Sequence, residues 1–100
     1  MPQLNAFKAK LPLLFFREGK AVIAYCPSLN LSTCGKTLPQ AQRRFSEALD
    51  LFIGDCVERG TLEEVLEECG WRRLTRPQPH WEPPSFLAQR LQEATIPIPT

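Results

Sequence analysis

The feature that most constrains this chain is a set of apolar residues spaced for one face of a long helix. Its members are Ala41, Phe45, Ala48, Leu49, Phe52 and Cys56. Thr37 stands before this set as an N-cap residue, and Gln40 three positions later completes a capping box. Gly60 is a typical residue just beyond a helix end. The spacing therefore predicts an amphipathic helix that runs to about Arg59 and packs its apolar face on another element.

The residues before this helix predict three antiparallel strands joined by tight turns. The strands are expected at residues 8–16, 21–26 and 31–35. Pro12 limits the first strand to a sheet edge or a bulge, because proline donates no backbone hydrogen bond. Gly19 suits the first turn, since it can adopt positive φ, and the residues at 27–30 are turn formers. The second strand is almost continuously apolar, which is typical of a central, well-covered strand.

A second, shorter helix and a fourth strand are predicted after the long helix. Thr61 and Glu64 have the spacing of a capping box, and Gly70 provides the stop. Residues 71–74 combine two apolar and two basic side chains, which favours a strand with its arginines exposed. The predicted fold class is α+β: three or four antiparallel strands packed by one long and one short helix, in the order β-β-β-α-α-β.

The last quarter of the chain has a different composition. Four prolines lie at positions 77, 79, 83 and 84, a pattern that favours extended polyproline conformation. Ser85 could cap a short helix, and alternating Ile and Pro at 96–99 predict an extended end. The 100 residues suffice for one core. We therefore expect an α+β domain at residues 1–76 and a proline-rich C-terminal arm at residues 77–100.

Charge is unevenly distributed although the net charge is only +1. Residues 1–37 carry five basic side chains and one acid, residues 38–70 three and eight, and residues 71–100 four and two. The helical middle is thus acidic between basic flanks. A near-neutral total is unlike a dedicated nucleic-acid binder, for which a pI above about 9 is typical. It is compatible with a protein partner that has a basic surface.

Compartment and cysteine usage point to a cytoplasmic protein without metal. No apolar run approaches the roughly 20 residues that span a bilayer, and the first residues lack the blocks of a secretory signal. We expect free thiols at Cys26, Cys34, Cys56 and Cys69. These cysteines form no CxxC pair, so we expect them to fill the core and to bind neither zinc nor another metal.

Catalysis is not expected from this sequence. General acid–base chemistry needs carboxylates that converge in a pocket, whereas Glu47, Asp50, Asp55 and Glu58 fall on the polar side of the long helix. His80 is the only histidine and has no evident nucleophile beside it. We predict that the protein is not an enzyme and needs no cofactor.

A nucleic-acid site is the stronger alternative to protein binding. Arg72, Arg73 and Arg76 cluster beside Trp71 and Trp81, and single-stranded nucleic acids bind to basic groups interleaved with aromatic rings. The simpler interpretation is a strand with basic outward positions. Because the total charge is near neutral, we favour the simpler interpretation and expect no nucleic acid as the main partner.

Three segments of the chain resemble the HicB-like antitoxin family. They are Tyr25-Cys26-Pro27-Ser28-Leu29, Gly35-Lys36-Thr37, and Ala41 with the helical stretch Glu47-Ala48-Leu49. In that family a strand ends in a Pro-x-Leu turn, a short strand closes in Gly-x-Thr, and a long amphipathic helix follows. The resemblance covers residues 8–71, about two-thirds of the chain. Ser28 departs from it, because an acidic residue is common at that position in the family.

The resemblance implies both a fold and a function. The fold is a partial ribonuclease-H-like arrangement without catalytic carboxylates. The function is that of an antitoxin, which binds a small mRNA-cleaving HicA-type toxin and covers its active site. Many members add a DNA-binding domain, which we do not expect in the 30 proline-rich residues after Gly70.

Partner binding also has support from the strands themselves. An open sheet edge can accept a strand from another chain, and the apolar stretch at 13–16 predicts that both sheet faces are covered. The predicted interface residues are Phe15, Tyr25, Pro27, Ser28, Leu29, Trp71, Trp81, Ile96 and Ile98. The arm could cover the sheet within one chain or across a homo-oligomer, a dimer or tetramer. An oligomeric structural or regulatory module without a toxin is the alternative function.

Overall fold

Two tight turns fold the first third of the chain into a three-stranded antiparallel sheet. The computed structural model describes residues 6–99, so the ends of the two predicted regions, at 1–5 and 100, lie outside the described residues. The strands are β1 (Leu14–Glu18), β2 (Ala21–Cys26) and β3 (Leu31–Gly35), with β2 in the centre. Gly19 has φ +61° in the first turn and Asn30 has φ +51° in the second. The predicted meander is confirmed.

The first strand differs from its prediction at both ends. It begins at Leu14, six residues later than predicted, and continues to Glu18. Glu18 pairs with Ala21, so the turn contains only Gly19 and Lys20. The segment before Leu14 contains Pro12, which cannot donate to a strand ladder. The strand β1 therefore contains only the five residues that pair with β2.

The long helix α1 (Leu38–Arg59) begins and ends as its sequence predicts. The backbone N–H of Gln40 donates to Thr37 Oγ1 at 3.2 Å, and Gln40 Oε1 accepts from the N–H of Lys36 at 2.6 Å. At the other end Gly60 has φ +71°, and its N–H donates to the carbonyl of Val57. The apolar face packs on β2 and β3, with Phe45 at its centre.

The second half adds the short helix α2 and a separate two-stranded sheet. The helix α2 (Leu62–Glu68) follows Thr61 directly, but the Thr61 side chain makes no capping hydrogen bond. The strand β4 (Arg72–Leu74) forms where it is predicted. It pairs with an unpredicted strand, β5 (His80–Glu82), and not with the first sheet. The predicted order β-β-β-α-α-β is thus confirmed, with β5 added after it.

The core lies between the first sheet, α1 and the second sheet. Alternate residues of β2, namely Val22, Ala24 and Cys26, are buried against α1. The remaining members of the buried cluster come from α1, α2, β5 and two connecting segments: Leu29, Ala41, Phe45, Leu66, Trp71 and Trp81. Because Trp81 belongs to the core, the folded part continues through β5, beyond the boundary predicted after Arg76.

The first sheet has one covered face and one open face. The register pairs Leu14 with Tyr25 and Phe16 with Ile23, which places these four side chains on the face away from α1. Phe16 is 48% exposed, so it belongs to the surface, whereas Phe45 is buried. We expected both faces of this sheet to be covered. Within residues 6–99 only the α1 face is.

The C-terminal arm, residues 83–99, contains no helix or strand. The short helix predicted to start at Ser85 does not form in the structure. Its apolar residues Phe86, Leu87 and Leu91 are exposed, so no tertiary contact compensates the cost of nucleating a helix of one or two turns. Residues 96–99, which the sequence predicts to be extended, also lie outside any helix or strand.

The contact between β3 and α1 gives a first testable prediction. A Cβ atom added at Gly35 would lie 2.6 Å from the backbone nitrogen of Ala41. Backbone cannot move aside cheaply, so Gly35→Ala should lower the free energy of unfolding by about 1–3 kcal/mol, as overpacking does. Urea unfolding followed by circular dichroism measures this change.

Gly54 in α1 provides the matched control. A Cβ there meets nothing within 4 Å, so Gly54→Ala should raise the free energy of unfolding by about 0.5–1 kcal/mol through helix propensity. Equal effects of the two substitutions would contradict the close approach of α1 to β3.

Candidate partner-binding surfaces

Four of the predicted interface residues lie in the core. Ser28, Leu29, Trp71 and Trp81 are all buried, with at most 8% of each residue exposed. Buried side chains cannot contact another protein unless the core opens. These four residues therefore stabilise the fold beneath the surface and do not form part of an interface. The apolar character of Leu29, Trp71 and Trp81 makes them candidates for an interface, yet the same character explains their burial.

A hydrogen bond from Trp71 links the turn after β2 to the segment that follows α2. The indole Nε1–H of Trp71 donates to the carbonyl oxygen of Ser28 at 2.8 Å, in a buried hydrogen bond. Tyr25 donates its hydroxyl to Asn30 Oδ1 at 3.2 Å across the same turn. Ser28 Oγ is buried and finds no hydrogen-bond partner among residues 6–99. The turn is thus held in one conformation beside the end of α2.

The other predicted interface residues lie at accessible positions on three parts of the molecule, namely the turn after β2, the strand β1 and the arm. Tyr25 and Pro27 are half-buried on the turn side, and Phe15 is half-buried on the α1 side of β1. Ile96 and Ile98, in the arm, are 79% and 86% exposed. The structure therefore brings Tyr25 and Pro27 together but leaves the two isoleucines uncovered.

The three arginines of the predicted nucleic-acid site form no continuous basic patch. Arg72 pairs with Glu82 at 3.3 Å, and Arg73 approaches Glu63 at 3.7 Å. Arg76 is exposed. The two tryptophans that would stack on bases are buried. The arrangement offers fewer free charges and fewer aromatic platforms than single-strand recognition uses.

The helices carry an exposed acidic surface. Of the eight carboxylates in α1 and α2, all exposed, Asp55 pairs with Arg59 and Glu63 with Arg73. Within residues 6–99 the remaining six form no ion pair, and we call them the acidic helix surface: Glu47, Asp50, Glu58, Glu64, Glu67 and Glu68. The uneven charge along the sequence thus becomes a surface property.

The open sheet face forms a second surface of different chemistry. It consists of Leu14, Phe16, Ile23 and Tyr25, of which Leu14 and Phe16 are the most exposed. At the edge of β1 a shallow groove of about 190 Å³ is lined by Phe15, Phe16, Arg17, Val22 and Leu38. The sequence analysis predicts Tyr25 of this face and Phe15 of the groove as interface residues, but not the other three residues of the face. The alternation of β1 against β2 was the signal that could have found them.

Ionisable and metal-binding groups do not gather into a site in the part of the chain that is described. Among residues 6–99 no three His, Cys, Asp or Glu side chains are placed to hold a metal ion. Partial burial, and then the neighbouring Glu68 carboxylate, raise the pKa of the Cys69 thiol, which disfavours the reactive thiolate. No helix between residues 6 and 99 is long and apolar enough to cross a membrane.

The Trp71 hydrogen bond gives the second testable prediction. Trp71→Phe keeps an aromatic ring but leaves the buried Ser28 carbonyl without its donor. We expect the free energy of unfolding to fall by about 1–3 kcal/mol, the cost of an unsatisfied buried group. Thermal or urea unfolding of the purified variant measures it.

Ser28→Ala is the comparison in the same turn. It removes a buried hydroxyl that has no partner in the described structure, so stability should stay the same or rise slightly. A loss as large as that of Trp71→Phe would mean that the Ser28 hydroxyl has a partner of its own.

Comparison with known proteins does not assign the chain to a family. No family model matches it, and no curated protein and no solved structure matches it. The function proposed next rests on the surfaces of this chain and on the order of its motifs.

Proposed function

We propose that this chain is a HicB-like antitoxin-type binding protein of the cytoplasm. It would bind a small mRNA-cleaving toxin of the HicA type and mask its active site by protein–protein contact. The observation that carries the proposal is the acidic helix surface, since a protein that grips RNA needs a basic surface and a masking partner needs the opposite charge. No catalytic group or cofactor takes part in this mechanism.

The acidic helix surface is densest on α2. Four of the seven residues of α2 are glutamates, and α2 contains no basic residue. Glu63 and Glu67, and likewise Glu64 and Glu68, stand four positions apart, where like charges each cost a helix about 0.2–0.5 kcal/mol. Glu67 and Glu68 also lie near the negative end of the helix dipole. A charge pattern that costs stability fits a surface retained for a partner.

The turn after β2 lies beside the glutamates of α2. Trp71 is the third residue after the end of α2, and its indole donates a hydrogen bond to the Ser28 carbonyl. The end of α2 is therefore close to the turn that carries Tyr25 and Pro27. Half-buried apolar groups next to carboxylates provide contact area as well as attraction. The proposed toxin-binding surface therefore consists of α2 with the Tyr25–Pro27 side of the turn.

The alternative function is a homo-oligomeric structural or regulatory module without a toxin. The open sheet face and the exposed arm favour self-association, independently of any charge. Nucleic-acid binding through Arg72, Arg73 and Arg76 has less support, because two of these arginines are paired and both tryptophans are buried.

The third prediction concerns a purified mixture of this chain with a toxin of the HicA type. After ribonuclease treatment, calorimetry should detect a complex at micromolar concentration that weakens as salt is raised. Glu67→Gln/Glu68→Gln should weaken binding about tenfold or more, while the variant itself stays equally stable or gains stability. Expression of the wild-type chain should also restore growth of cells that produce the toxin.

Thr75→Lys/Gln78→Lys is the matched control. It changes the net charge by the same amount but alters two exposed residues in the loop between β4 and β5. Its toxin affinity should stay within a few-fold of wild type. The antitoxin proposal fails if no complex forms at micromolar concentration. An RNA-dependent complex that the control strengthens would favour nucleic-acid binding.

A further inference from the structure

The arm presents apolar side chains that nothing in residues 6–99 covers. Leu87 and Leu91 are almost fully exposed, and Ile96 and Ile98 are 79% and 86% exposed. The longest dimension of the described chain is 61 Å, against 29 and 23 Å in the other directions, and the radius of gyration is 17.0 Å. A compact chain of this length has a radius of about 13 Å. The fold therefore leaves an arm free to reach a neighbour.

The end of the arm can act as a strand on one side only. In an extended chain alternate residues direct their backbone groups to the same side. Ile96 and Ile98 therefore offer N–H and C=O groups to one neighbouring strand. Pro97 and Pro99 face the opposite side, where they have no N–H to donate. Such a segment can join a sheet edge and then block further growth of the sheet.

The free edge of β1 offers unpaired backbone groups at every second residue, as the end of the arm does. Gly19 and Lys20 form a two-residue turn, so the flanking pair Glu18 and Ala21 is hydrogen-bonded, and so is every second pair along the ladder. The intervening residues Phe15 and Arg17 then direct their backbone groups outward. On the β3 side, by contrast, Arg44 Nη1 donates to the carbonyl of Cys34 at 3.2 Å. The β1 edge is the freer of the two.

We propose that the segment 96–99 of one copy adds as an antiparallel strand to the β1 edge of a second copy, and that the exchange is reciprocal. Ile98 then pairs with Phe15 and Ile96 with Arg17. Paired residues project to the same face, so both isoleucines enter the groove between Phe15, Val22 and Leu38. The contact is independent of the proposed toxin-binding surface on α2.

Charge decides the strand direction and the identity of the occupant. With Ile98 opposite Phe15, the antiparallel register brings Glu93 beside Lys20, and neither residue has an ion pair within residues 6–99. A parallel strand with its isoleucines opposite the same two residues would pair Ile96 with Phe15 and Ile98 with Arg17, and would place Glu93 opposite Pro12, which carries no charge. The arm thus provides isoleucines for the groove, backbone N–H and C=O groups on the side that meets β1, and a carboxylate for Lys20. A twofold exchange satisfies both copies and closes the assembly as a dimer.

The fourth prediction is tested by the mass of the full chain in solution. Light scattering should give twice 11.4 kDa for the wild type and a folded monomer for Ile96→Asp/Ile98→Asp. Leu38→Asp should also give a monomer, since it charges the groove while an acid suits the first turn of a helix. Leu87→Asp/Leu91→Asp alters arm residues that are even more exposed than the two isoleucines but lie outside the contact, so this variant should remain dimeric.

Mixing an arm variant with a groove variant tests whether the arm of one copy binds the groove of the other. A mixture of Ile96→Asp/Ile98→Asp with Leu38→Asp should recover dimers, because one intact arm meets one intact groove. Glu93→Lys should weaken the dimer, and Lys20→Glu in the same chain should restore it. A monomeric wild type at all concentrations up to millimolar overturns the proposal, as does a dimer that survives Ile96→Asp/Ile98→Asp. The toxin titration is unaffected by either result, so the two proposals fail separately.

Discussion

The structure depends on the buried hydrogen bond from the Trp71 indole to the Ser28 carbonyl. This bond joins residues 43 positions apart and connects the turn after β2 to the junction between α2 and β4. The indole also belongs to the buried cluster that includes Leu29 and Trp81. One side chain thus satisfies a buried backbone acceptor and fills the space between two sheets. Within residues 6–99 no hydrogen bond or ion pair links β4 or β5 to the first sheet, so without the Trp71 bond only apolar contacts would hold the two sheets together.

The close approach of α1 to β3 is the second constraint. At Gly35 the missing side chain lets the N-terminal turn of α1 lie directly on the end of the strand. The helix then covers β2 and β3, and its own polar side is turned to solvent. The opposite face of the sheet receives no element from residues 6–99. Acidic and apolar surfaces are therefore separated onto different sides of one small domain, and each can take a different partner.

Much of the fold could be read from local pattern. The elements β2, β3 and α1 lie where turn residues, alternation and the Thr37 capping box predict them. The failures have a common cause. The strand β5 is three residues among prolines and exists because β4 lies beside it, while the helix expected after Ser85 finds nothing to pack on. The tryptophans were predicted at an interface and are buried instead, since an apolar aromatic ring has the same sequence signature in either place.

The sequence by itself determined the α+β class, the strand and helix order, and the partition of charge, because these follow from residue spacing and side-chain type. The motifs that resemble HicB-like antitoxins were also visible at this level. Only the tertiary structure decided which apolar residues are covered: Trp71 and Trp81 are buried, whereas Phe16, Ile96 and Ile98 are exposed. The physical reason is that burial depends on what packs against a residue, and contacts between distant segments leave no periodic trace in the chain.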